Sequence, residues 1–120
     1  MTFSVEIVLK GREDAVTETL VLPAAEPPVW DAAFVQAILV EVLRALGRAQ
    51  DPTLAADRQV ILQGFSWIVE PVGGQVVVAL EIPMGAAVAG PFDVDQRRLD
   101  ELVGLVVQTE RQRRSPQTIH

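Results

Sequence analysis

Cysteine and tyrosine are absent from this 120-residue chain, and histidine and lysine occur once each. Without cysteine there can be neither a disulfide framework nor a thiolate metal site. The one histidine is His120, the last residue, so an imidazole base or ligand would have to sit at the very end of the chain. Ser-His-Asp and Cys-His arrangements are therefore not available to the body of the protein. Lys10 stands alone beside a turn signal, Gly11-Arg12-Glu13-Asp14. That position suits a solvated charge, whereas a catalytic lysine needs burial. Aromatics make up only 5% of the residues, so the core has to be aliphatic.

Long apolar runs are missing too. The longest is Ile82 to Phe92, interrupted by two prolines and two glycines, against the ~20 residues of a membrane-spanning helix. The opening residues, Met1-Thr2-Phe3-Ser4-Val5-Glu6, lack the basic and apolar regions of a signal peptide. The expected address is the cytoplasm, with no membrane partner. Arginine in place of lysine, with abundant Ala and Val, fits the codon bias of a GC-rich bacterial genome.

What is present is aliphatic and acidic. Hydrophobic residues make up 49% of the chain and the net charge is −6. An acidic domain repels phosphate, so no nucleic-acid partner is expected. Five basic against thirteen acidic side chains give residues 1–96 a net −8, while five arginines against three acids give residues 97–120 a net +2. Such an aliphatic surplus must fill a core or leave an apolar patch for a partner.

Phe3, Val5, Ile7 and Leu9 alternate with polar residues as in a half-buried strand, and Val16 to Leu22 is a second β-prone run, so residues 2–22 read as a hairpin. Pro23, Pro27 and Pro28 then stop the sheet. Asp31 is placed to cap a helix over 31–49, with Trp30 and Val35 spaced for a hydrophobic staple. Phe34, Val35, Ile38, Leu39, Val42, Leu43 and Leu46 cover about half of that helix, wider than the usual stripe of about 100°. Val60 to Val72 and Gln75 to Ile82 are β-prone runs joined at Gly73-Gly74, a strong hairpin turn, and Gly64 suggests a bulge within the first. Asp93 or Asp95 caps a last helix through Leu99, Leu102, Val103 and Val106, with Arg111, Arg113 and Arg114 in its final turn. The order β-β-α-β-β-α predicts an α+β two-layer sandwich: a four-stranded antiparallel sheet with two helices on one face. Residues 1–114 form one domain in this reading, and 115–120 a flexible tail.

Chemistry-bearing patterns are thin. Glu13, Asp14 and Glu18 gather near the first turn and Asp93-x-Asp95 precedes the last helix, but turns and helix starts select acids without any catalytic reason. Gly85-x-x-x-x-Gly90 opens like a phosphate loop, yet Pro91 and Phe92 stand where Lys and Ser or Thr are needed. No catalytic residue, metal ligand or cofactor site is assigned. Phe65, Trp67 and Val69 share a strand face that is either core or an exposed row. Residues 83–92 read as an uncharged apolar loop, either cover or a short extra strand over the core, or a surface that closes on a ligand or partner.

The reading that follows is a non-catalytic protein-interaction module, a homodimeric adaptor or subunit of a larger bacterial assembly. The half-apolar helix supplies the argument for a dimer, and Met84, Val88, Phe92, Phe65 and Trp67 the partner or ligand surface. The alternative is a small-molecule-binding protein or minor enzyme, with a pocket between sheet and helices lidded by 83–92. A third reading is a nucleic-acid accessory acting through the arginine-rich terminal helix.

Overall fold

The alternation at the start of the chain folds as it reads. In the computed structural model, which describes residues 1–114 (Arg114 by its backbone alone), β1 (Thr2–Leu9) buries Phe3, Val5, Ile7 and Leu9 and exposes every residue between them. β2 (Val16–Val21) pairs with it antiparallel from Thr2↔Val21 to Ile7↔Val16. The tail expected over 115–120, with His120, lies outside the described residues.

The helix α1 (Ala32–Gln50) starts at Asp31, whose side chain accepts the Phe34 N–H at 2.9 Å. This is the cap that the sequence places there. Trp30 packs edge-on against Phe34 and Phe92 rather than stapling to Val35, which lies in the core. Gly47 lies inside the helix, which runs on to Gln50. The Arg58 guanidinium occupies the space beside it, and a Cβ there would come within 2.1 Å of a guanidinium nitrogen. That guanidinium donates to the Leu43 carbonyl, while Arg44 donates to the Arg58 carbonyl at 3.0 Å. Residues 51–65 are thereby stitched along the flank of α1.

The β-prone run from Val60 becomes a strand only at β3 (Ser66–Val72). Before it, the Leu62 N–H goes to the Glu110 carboxylate at 3.1 Å and not to a neighbouring strand. β3 turns at Gly73-Gly74, both at positive φ, into β4 (Gln75–Ile82). Glycine takes two such residues in succession without strain.

The sheet has five strands, not four. Residues 83–92, read as a loop, hold β5 (Gly85–Phe92) after a two-residue turn at Pro83-Met84. β5 lies at the centre of the order β2-β1-β5-β4-β3, antiparallel to both neighbours. A central strand meets neither edge, and Ala87 and Ala89 are small enough to lie under a helix. Near its end the register shifts between Val76 and Val78, two residues (Gly90 and Pro91) standing against one, which returns Phe92 to the buried face.

Both helices cover the face that carries Val5, Ile7, Ala87, Val78 and Val69: α1 crosses β1, β5 and β2, and α2 (Gln96–Arg114) lies along β3 and packs on α1. Asp95 caps α2, its carboxylate accepting the Arg98 N–H at 3.0 Å. One contiguous aliphatic core fills the space between the layers. It also accounts for the wide apolar face of α1. Val35, Ile38, Leu39, Val42, Leu43, Ala45 and Leu46 are all buried within the chain, with the sheet, α2 and the 51–65 segment around them. The argument for a dimer from an uncovered helix face therefore falls.

Candidate functional site

The sheet register divides the five residues singled out in the sequence. Phe65 and Trp67 lie on the helix side at the outer strand, half-buried, with the Trp67 ring near Gly104 of α2. Phe92 is 2% exposed and packs against Phe3 and Trp30. Met84 sits exposed in the β4–β5 turn, and only Val88 points away from the helices, 39% exposed. They do not form one surface.

The residues around Val88 do form one. Across the sheet the register aligns Thr17, Glu6, Val88, Ala79 and Ile68 in a row on the face without helices. The neighbouring row brings Val8, Ala86, Glu81 and Ser66 together, and Val77 and Glu70 flank the other side. Over β5, β4 and β3 this face is apolar: Val88, Ala79, Val77, Ala86 and the 51%-exposed Ile68. Over β1 and β2 it becomes mixed, with Thr2, Ser4, Thr17 and Thr19 beside Val8 and Val21. Glu6, Glu70 and Glu81 frame the apolar half, and Lys10, at the end of β1, is the nearest basic residue along these strands. Among the described residues nothing covers this face. Apolar area rimmed by charge is what a protein-binding surface presents.

Four of the acidic side chains, Glu18, Asp51, Asp95 and Glu110, make contacts that hold elements together. Glu18, grouped with Glu13 and Asp14 in the sequence, turns to the helix side and pairs with Arg48 of α1. Glu13, Asp14 and Asp93 are exposed, and Asp95 caps α2. Glu110, buried in the helix layer, accepts the Leu62 N–H with one oxygen and lies 3.7 Å from Arg113 with the other. Asp51, which ends α1, is held below the usual carboxylate range by the Thr53 hydroxyl and then by the Thr53 N–H. Among the described residues no three acids or imidazoles come together to hold a metal ion. Arg97 and Arg98 open α2 while Arg111 and Arg113 close it, roughly 20 Å apart at helical rise. The arginines are not one patch.

The pocket expected under 83–92 has no lid, because that segment is β5. Clefts lie instead at the surface. One of about 200 Å³ runs between Ala33 and Gln36 of α1 and Thr109 and Arg113 of α2, and one of about 280 Å³ is lined by Pro27, Trp30 and Pro91. Neither lining contains cysteine, lysine or histidine.

Sequence reasoning missed Ala79, Val77, Ile68 and Val8 as a surface. The signal was there in β4, where Val77 and Ala79 stand in the set opposite Val76, Val78 and Leu80 although one face alone can meet the helices. No helix of the described residues is long and apolar enough to cross a membrane. The chain matches no family model, no curated protein and no solved structure.

Proposed function

We propose that this chain is a non-catalytic protein-interaction module, a homodimeric adaptor or a subunit of a larger assembly, and that it holds its partner on the open face of the sheet. The observation that carries this is the uncovered apolar band of Val88, Ala79, Ile68 and Val77 inside the frame of Glu6, Glu70 and Glu81. Burying that band is favourable at ~25 cal/mol per Å² removed from water. The glutamates ask for arginine or lysine at the rim of the surface that covers it. The cytoplasm is the compartment that goes with this reading.

Paired variants test it. Val88→Lys and Ile68→Lys place a cation on the open face, while Leu105→Lys makes the same change at an exposed position of α2. Partners retained from an extract by the wild type should be lost from both open-face variants and kept by Leu105→Lys. Equal retention by all three would overturn the assignment of the face.

A further inference from the structure

The two edges of the sheet are built differently, and the difference points to what joins two copies. Strands at an edge turn the N–H and C=O of every second residue outward, unpaired. In β3 these residues are Trp67, Val69 and Pro71, because Val72 and Gln75 flank the two-residue turn and must be a hydrogen-bonded pair. That edge is guarded. Pro71 has no N–H to offer, the Gln96 side-chain amide donates to the Val69 carbonyl at 3.0 Å, and α2 runs alongside.

The β2 edge has no proline or capping amide, and its one inward charge, Glu18, is paired with Arg48. Leu22 N–H donates to the Met1 carbonyl at 2.8 Å and Met1 N to the Leu22 carbonyl at 2.6 Å, so Leu22, Leu20, Glu18 and Val16 face β1. Thr17, Thr19 and Val21 accordingly turn their backbone groups outward. The strand holds no proline, lysine or bulge, its register with β1 is unbroken over six pairs, and Val21 is 71% exposed.

We infer that two copies of this chain pair through β2, antiparallel about a twofold axis at Thr19, so that the two five-stranded sheets become one of ten strands. This deepens the homodimer reading and rests on it. The strand is self-complementary in that register. Thr19 meets Thr19 of the second copy, Thr17 meets Val21, and Glu18 meets Leu20. Cross-strand pairs of β-branched residues are the favourable kind. The two Glu18 side chains lie diagonally across the axis at about 7–8 Å, and each is already paired with Arg48 of its own α1.

The same contact fixes which flank of α1 borders the seam. Phe34, Ala37 and Glu41 share the side of Arg48 by helical spacing and are half-buried. This flank adds area to the strand seam, towards the ~800 Å² per copy that a stable interface buries. The open face stays free and doubles in extent, available to the partner of the preceding section.

Two variants test this inference. Thr19→Pro removes an N–H that β1 does not use, so the fold should persist while the seam opens. Thr19→Cys puts a thiol on the axis of a chain that has no other; every disulfide it forms joins two copies. Light scattering at about 50 µM, where a micromolar dimer is populated, should give about 26 kDa for the wild type, twice the 13.0 kDa chain. It should give the monomer mass for Thr19→Pro, with native circular dichroism. Thr19→Cys should oxidise to a covalent dimer, and Val72→Cys on the opposite edge should not. A monomeric wild type would overturn the homodimer reading and this interface together. A dimeric wild type whose Thr19→Cys fails to crosslink faster than Val72→Cys would overturn this interface alone. If Thr19→Pro misfolds, the crosslinking comparison decides.

Discussion

The two faces of the sheet carry comparable aliphatic chemistry and meet different fates. On one, Val5, Ile7, Ala87, Val78 and Leu80 are sealed under two helices; on the other, Val8, Val88, Ala79 and Ile68 stay without cover. The difference lies in what surrounds them. The covered set is continuous from β1 to β3, whereas the uncovered set is bounded by Glu6, Glu70 and Glu81 and is interspersed with threonine and serine over β2 and β1. An aliphatic surplus in composition need not mean an uncovered helix. Here α1 is sealed, and the surplus surfaces on the sheet.

Truncations should separate the two faces most strongly. Leu80→Ala, on the covered side of β4, should cost about 2–5 kcal/mol in urea unfolding through the cavity that it leaves. Ile68→Ala, on the open side, should cost under ~1 kcal/mol because its side chain is half in water already. Similar losses at both sites would mean that the open face is covered in solution.

Smaller effects concern how the covered layer is closed. Glu110→Ala leaves the Leu62 N–H without its acceptor at the foot of the 51–65 segment. The expected loss is about 1–3 kcal/mol, with hydrogen exchange of residues 58–65 rising before that of β1. Arg48→Ala opens the Glu18 pair, which is partly exposed. It should shift stability by no more than ~1 kcal/mol, but it should weaken any dimer formed along β2.

Which parts were legible in the sequence depends on whether a residue pattern had one cause. β1 alternates because one side meets the core and the other meets water, and its period is visible in Phe3, Val5, Ile7 and Leu9. Asp31 caps α1 and Gly73-Gly74 turn the hairpin through local chemistry alone. β5 was not legible. Gly85-Ala86-Ala87-Val88-Ala89 shows no alternation, since small apolar residues stand on both faces, and flanking prolines and glycines resemble a loop. Missing β5 hid the site as well, for Val88 aligns with Ala79 and Ile68 only once β5 is paired with β4. Phe92 was assigned to a surface as part of the apolar loop; in β5 the one extra residue of the bulge at Gly90-Pro91 turns it to the buried face. Val60 to Phe65 resembled a strand, but a side chain 48 residues away takes the Leu62 N–H.

Adjacent residues of β5 provide the most direct test of the two-face account. Ala87 is fully buried beneath the helices, and Val88 lies opposite Glu6 on the open face. Urea unfolding of Ala87→Lys and Val88→Lys compares the same new charge one residue apart. The account predicts that Ala87→Lys loses several kcal/mol or fails to fold, since an unpaired ammonium would be buried. Val88→Lys should stay within about 1 kcal/mol of the wild type, its ammonium in water beside a glutamate. Equal losses in the two variants, or the larger loss at Val88, would contradict it.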